Sequence, residues 1–158
     1  SLIAVNSSAT DLTLTLASDK VGTGNGIYLW AIGRRTAGGD YRARVRLLST
    51  GGVAIAVSRY VGGTETLIGS EQTLAGVTYT PGMQLKMRFQ VEGNGTTALR
   101  LKVWQAAGSE PASWQLNQTD TTASLQGAGA IGVVTYLSGS ATNAPVVASF
   151  DDLKAVSL

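Results

Sequence analysis

Three segments of this 158-residue chain alternate strictly between apolar and polar residues, and that period of two admits an extended backbone and excludes a helix. In Tyr41-Arg42-Ala43-Arg44-Val45-Arg46-Leu47 every even position is Arg. Met83-Gln84-Leu85-Lys86-Met87-Arg88-Phe89-Gln90-Val91 repeats the pattern with Gln and cations, and Leu99-Arg100-Leu101-Lys102-Val103-Trp104 adds a Trp to the outward set. Each segment therefore lays one row into a core and the other into solvent. The outward rows hold Arg42, Arg44, Arg46, Lys86, Arg88, Arg100 and Lys102, more than half of the chain's 12 Lys and Arg, with no acid inside the rows. Placed side by side in one sheet, the three strands predict a basic platform flanked by Trp104.

Strand and turn signals continue along the whole chain. Candidate strands run Leu2–Val5, Asp11–Ala17, Ile27–Arg34, Asp40–Leu48, Val53–Val61, Glu65–Ser70, Met83–Glu92, Ala98–Gln105, Ala130–Tyr136 and Val146–Val156. Between them lie Gly-rich clusters, among them Gly22-Thr23-Gly24-Asn25-Gly26 and Ala37-Gly38-Gly39-Asp40. Short strands at this spacing predict an all-β, antiparallel two-sheet β-sandwich. Glu92-Gly93-Asn94-Gly95-Thr96 reads as a hairpin joining the second and third basic strands, and Thr50-Gly51-Gly52 as one joining the first to Val53–Val61. Residues 108–114 and 117–126 carry few strand signals and read as a long ordered loop with a short helical turn near 121–126. No linker divides the chain, so residues 1–158 form a single domain. The start at Ser1 in strand-like sequence reads as a piece excised from a longer protein.

Composition narrows the chemistry. There is no His and no Cys, so the usual nucleophile–base pairs and thiolate ligands are missing. The ten acids sit mostly at turns, and no strand carries the paired carboxylates of a glycosidase. The expectation is a protein that is not an enzyme. Net charge is only +2 and a single aromatic accompanies the cationic rows, which argues against nucleic acid, whose single strands need several stacking rings. No apolar run reaches the roughly 20 residues of a spanning helix, so membrane insertion is not expected.

The order of these pieces is informative. A basic Asp-Tyr-Arg-Ala-Arg-Val strand and a Gly-Gly-Thr-Glu-Thr hairpin come first. Leu-Arg-Leu-Lys-Val-Trp, Glu-Pro-Ala-Ser-Trp, Tyr-Leu-Ser-Gly-Ser-Ala-Thr-Asn and a closing Phe-Asp-Asp-Leu follow. Over roughly residues 27–156 the chain resembles the concanavalin A-like, laminin G-like jelly-roll modules of secreted multidomain bacterial proteins. The resemblance implies a noncatalytic carbohydrate-binding or lectin-like role at an extracellular or cell-surface location, with a polysaccharide or surface glycan as partner. It also implies a last strand returning beside the first, and a terminal strand that lies outside this chain or comes from a partner chain. Glycanases and lyases share the superfold, so fold does not decide function. Neither the Glu-x-Asp-x-x-Glu strand of the glycanases nor the Gln-Ile-His strand of the lyases is present.

On the residues, Arg44, Arg46, Lys86, Arg88, Arg100 and Lys102 are the candidate partners of an anionic polysaccharide, because guanidinium groups grip carboxylates and sulfates bidentately. Trp104 is the candidate stacking ring. The alternative is a solvated sheet face whose cations meet acids from loops and discourage edge-to-edge association. Trp30 reads as core, and Trp114 as a plug over one end of the sandwich. Jelly-roll modules of the kind resembled often hold a structural Ca²⁺, for which Asp19 and Asp152 are the candidate ligands, since strict alternation turns Asp152 inward beside Phe150. The rival functional class is a structural or adhesive domain that self-associates or is completed by a partner strand.

Overall fold

The computed structural model describes residues 2–158. It is a two-sheet antiparallel sandwich of twelve strands: β1 (Leu2–Ser7), β2 (Ala9–Ser18), β3 (Ile27–Thr36), β4 (Gly39–Leu47), β5 (Gly52–Val61), β6 (Thr64–Leu67), β7 (Gln72–Thr78), β8 (Leu85–Glu92), β9 (Thr97–Gln105), β10 (Leu116–Asp120), β11 (Gly129–Leu137) and β12 (Ala148–Ser157). A 3₁₀ turn at Ala123–Leu125 stands where the sequence predicts a helical turn. One sheet runs β1-β11-β3-β4-β5, with β6 and β7 both pairing β5; the other runs β10-β9-β8-β2-β12.

The inward rows are those the alternation predicts. Ala43, Val45 and Leu47 from β4, Met87, Phe89 and Val91 from β8, and Leu99, Leu101 and Val103 from β9 are all buried in one core with Leu12, Leu14 and Leu16 of β2. Both expected hairpins form, β4–β5 through Thr50–Gly52 and β8–β9 through Glu92–Thr96. Gly93 and Gly95 take positive φ there, a conformation open to glycine at little cost.

Three expectations are corrected. The basic strands do not share a sheet: β4 is held between β3 and β5, while β8 and β9 pair in the opposite sheet. Each hairpin satisfies its own backbone locally, and residues 79–84, between β7 and β8, carry the chain from one sheet to the other. The last strand does not return beside the first: β12 pairs β2, and β1 pairs β11. Two short polar strands go unread in the sequence, β7 and β10; β10 pairs β9 over Asp120↔Thr97 to Leu116↔Leu101 within the stretch expected to be loop.

Candidate functional site

The two outer faces of the sandwich carry the polar rows. On the five-stranded sheet, register places Lys86 opposite Trp104, Arg88 opposite Lys102 and Gln90 opposite Arg100. β2 adds Asp11, Thr13 and Thr15 alongside β8. The connection from β9 to β10 folds back over this face. Its Gln115 side chain pairs the backbone of Val103 at 2.7 and 3.0 Å, imitating a strand residue and anchoring the loop. Glu110 thereby accepts from Arg88 Nη1 and from Lys102 Nζ, both at 3.0 Å. The Trp114 ring lies 5.6 Å from the Arg88 guanidinium and 4.7 Å from the Lys102 ammonium. Trp114 is thus a lid on the cationic row, in place of the end plug expected from sequence.

The expected cationic platform is already neutralised. Arg88 is also gripped by Asp11, and Arg100 pairs with Glu92 at 2.9 Å. In the other sheet Arg44 pairs with Glu65 and Glu71, Arg46 with Glu71, and Arg42 with Asp40. Of the seven outward cations, Lys86 alone has no acidic partner among the described residues. The acids come from neighbouring strands and loops, where inspection of the basic rows by themselves does not find them. Asp11 was legible in principle, since it opens the alternating Asp-Leu-Thr-Leu-Thr-Leu segment on the outward side.

These pairs set the charge states. Burial raises the Asp11 carboxyl, but hydrogen bonds from Arg88 and Gln90 outweigh it and hold the group below its ordinary range. Glu110 behaves alike: burial pushes it up, and Lys102 and Arg88 bring it below the usual value. Both are carboxylates at neutral pH and can only accept hydrogen bonds.

Beside this lattice lies a pocket of about 240 Å³ lined by Thr13, Thr15, Lys86, Trp104, Glu110 and Asp152. Asp152 reaches it through a backbone irregularity. The β2–β12 register slips between Asp151↔Thr15 and Lys154↔Thr13, and within the bulge Asp152 takes φ of 52°, the one non-glycine positive φ among the described residues. Its side chain faces outward, where it accepts from Thr15 Oγ1 at 3.4 Å, so the inward orientation drawn from strict alternation is corrected. The pocket therefore offers one indole face, two carboxylates, an unpaired ammonium and two hydroxyls.

The candidate calcium ligands do not fit a shared ion. Asp19 follows the Ser18–Ala148 pair, whereas Asp152 adjoins Thr15, a separation of about 13 Å along β2 at ~3.3 Å per residue. Calcium needs its oxygens at roughly 2.4 Å. Asp19 Oδ1 instead accepts from the Val147 amide at 2.8 Å, and beside it the Lys20 ammonium donates to the carbonyls of Asn143 and Pro145 at 2.9 and 2.6 Å. A cation of the chain's own thus ties that end of the sandwich together.

On the seven-stranded sheet, Trp30 is 5% exposed, its indole N–H donating to Glu65 at 2.8 Å. It is buried as expected, although it lies on the outer face and not in the inter-sheet core. Tyr60 lies under the Arg42 guanidinium at 4.0 Å.

No family model and no curated protein matches the sequence. Solved structures do. A carbohydrate-binding module, CBM66 from Bacillus subtilis, superposes with a TM-score of 0.65 at 15% identity, over 98% of this chain and 78% of that one. A xylan β-1,4-xylosidase from Bacillus halodurans superposes at 0.58 with 13% identity over 94% of this chain, and a GH43 protein from Bacillus licheniformis at 0.58 with 12% identity over 96%. This chain spans 28% of the length of each of the latter two. Identities so low bear on architecture alone, and the architecture shared is an antiparallel two-sheet jelly-roll sandwich.

Proposed function

We propose that this protein is a noncatalytic carbohydrate-binding module of a secreted or cell-surface protein, and that it holds a sugar ring in the pocket beside Trp104. The single observation that carries this reading is the convergence of an indole, two carboxylates, an ammonium and two hydroxyls on one pocket of about 240 Å³. Sugar rings present an apolar C–H face and an equatorial belt of hydroxyls. An aromatic ring takes the face, while fixed acceptors and donors take the belt. The likeness to a carbohydrate-binding module supports the reading at the level of fold.

The ligand is better matched as a neutral saccharide than as the acidic polymer suggested by the Arg rows, because Arg88, Arg100 and Lys102 already face carboxylates. Lys86 retains a free charge to donate to one hydroxyl. The same geometry leaves Glu110 ill suited to act as the general acid of a glycosidase. A glycosidase requires one carboxyl with a raised pKa to protonate the leaving oxygen, and Glu110 is held in the opposite direction by Arg88 and Lys102.

Affinity electrophoresis through xylan, β-glucan, mannan, alginate and polygalacturonate tests the proposal. Retardation by a neutral polymer, reduced about tenfold or more in Trp104→Ala (about 1.4 kcal/mol), is expected. Retardation by acidic polymers alone, vanishing at physiological salt, would replace the pocket with bare charge attraction. Release of reducing sugar from any polymer would overturn the noncatalytic reading.

A second reading rests on β12, an edge strand along which Val156 is half exposed and Leu153 more than a third exposed, with Leu158 half exposed just past its end. Open apolar edges invite pairing with another strand. A mass that rises with concentration, without retardation by any glycan, would favour a self-associating structural module.

A further inference from the structure

The outer face of the seven-stranded sheet carries a constellation that the pocket does not use. Two rungs cross it in register: Tyr136–Tyr28–Arg46–Ala54 and Val134–Trp30–Arg44–Ala56. Tyr28 and Trp30 stack at 5.4 Å with their planes 16° apart, and Tyr136 meets Tyr28 at 5.8 Å, tilted by 54°. Ala54 and Ala56 are small, and both are covered at 1% exposure. Over them Glu71 bridges Arg44 and Arg46, while Glu65 accepts from Trp30 Nε1, Ser58 Oγ and Arg44. The guanidinium groups of Arg44 and Arg46 lie 5.6 and 5.7 Å from the Tyr28 ring.

The floor of this face is electrically balanced, two Arg against two Glu. Its Arg44 and Arg46 Nε–H groups are buried and have no protein acceptor. Its aromatic end is open, with Tyr136 54% exposed.

We infer that Tyr136 and Tyr28, with Arg46 and Glu71 beside them, form a second saccharide-binding surface, so that one module engages two glycan segments on opposite faces. The inference rests on the carbohydrate reading above and extends it to a new site. A sugar ring lying on Tyr136 places its hydroxyls toward Glu71, which keeps lone pairs beyond those used by the arginines, and toward Arg46, which donates.

A protein partner fits less well. Among the residues whose side chains are described, the exposed large apolar ones of this face are Tyr136 on β11 and Leu67 on β6, four strand spacings or roughly 19 Å apart. They make no contiguous patch of the roughly 800 Å² per partner that a stable protein interface buries. One or two rings suffice to hold a sugar.

Opposite faces make the consequence measurable. A module with two sites cross-links long polymers, whereas one with a single site coats them. The experiment uses the full chain with soluble xylan, β-glucan and mannan, reading affinity by gel retardation and cross-linking by light scattering. Four variants are compared with wild type: Trp104→Ala, Tyr136→Ala, Tyr136→Phe and the Trp104→Ala/Tyr136→Ala double variant. Wild type and Tyr136→Phe are expected to bind and cross-link. Each single Ala variant is expected to bind about tenfold more weakly through its remaining site and to lose cross-linking. The double variant is expected to lose retardation.

Glu71→Gln, which leaves the rings in place, is expected to weaken the residual binding of Trp104→Ala. Binding abolished by Trp104→Ala alone, with Tyr136→Ala indistinguishable from wild type, would overturn the second surface and leave the first intact. The reverse pattern would leave the second and remove the first. Absence of retardation by all three polymers would remove both.

Discussion

Arg88 on β8 grips Asp11 on the adjacent β2 bidentately, Nε to Oδ1 at 3.0 Å and Nη2 to Oδ2 at 2.6 Å, two residues out of direct register. The contact converts two outward charges into a fixed diagonal brace and removes the cation that most invited an acidic ligand. It also sets a pH dependence. Because the Asp11 carboxyl is lowered from its ordinary 3.8 on folding, it contributes stability above that value and loses it as pH falls through the lower folded value. Asp11→Asn is therefore expected to be less stable than wild type at pH 7, by about 1–2 kcal/mol after allowing for the partial exposure of Arg88. The two denaturation curves should converge as pH falls below 3.8 and through the lowered folded value, where wild type loses the same interaction. A difference that stays constant down to the pH at which wild type itself unfolds in acid would show that the ion pair is not its source.

Arg34 presents the opposite case, a cation 1% exposed with no carboxylate beside it among the described residues. Its guanidinium donates to Thr97 Oγ1 at 2.9 Å, to the Gly93 carbonyl at 2.9 Å, and to the carbonyls of Ser8 and, at 3.5 Å, Leu125. One side chain thus ties the β1–β2 turn, the β8–β9 hairpin and the 3₁₀ turn. Arg34→Met keeps the stem and strands those acceptors, at a cost of about 1–3 kcal/mol for each that water cannot reach. The expected result is a urea midpoint lowered in proportion, with an unchanged slope. Arg34→Lys should recover only part of the loss, since one ammonium cannot span acceptors on three segments.

How much of this was legible in the sequence depends on whether the cause was local. The inward rows of β4, β8 and β9 and their two hairpins follow from alternation and glycine placement, both encoded within a few residues. The fates of the outward rows were not local. Glu71 lies 25 positions beyond Arg46, and Asp11 lies 77 before Arg88, so no window that reads a strand contains its counter-charge. Which sheet β4 joins is likewise set by partners distant in sequence, so the condition that the three basic strands lie side by side is not met. Asp152 was misdirected by one bulge, which inverts every side chain beyond it and leaves no compositional trace. The pocket depends on that bulge and on a loop anchored by Gln115. Trp104 was therefore visible as a candidate, while Glu110, Thr13 and Thr15 were not.

Gly33 measures how tightly the two sheets approach. It has no unusual φ, yet a Cβ added there would lie 2.5 Å from Val91 Cγ2 and 2.7 Å from Phe89 Cε1 on the facing sheet. Those side chains fill the core at full burial and have little room to yield. Gly33→Ala is expected to cost about 1–3 kcal/mol through overpacking, despite Ala's usual advantage over Gly. Pairing it with Val91→Ala should recover part of the loss. A double variant no more stable than the sum of the two single effects would place the strain elsewhere.

Asp152 separates what stabilises the fold from what serves the site. Its φ of 52° is costly for a residue with a Cβ and nearly free for glycine, while its carboxylate lines the pocket. Asp152→Gly and Asp152→Ala both delete the carboxylate, but only the first relieves the backbone. The glycine variant is expected to be more stable than the alanine variant by about 1 kcal/mol, and at least as stable as wild type. For saccharide affinity the two should fall together, by about tenfold or more, since a hydrogen bond to a charged group contributes about 1.5–3 kcal/mol. Thermal denaturation and titration with the polymer that binds wild type read the two effects separately. Affinity lost only in the alanine variant would mean that the bulge geometry, and not the carboxylate, shapes the pocket. Affinity retained in both would remove Asp152 from the site and leave recognition to Trp104, Glu110 and Lys86.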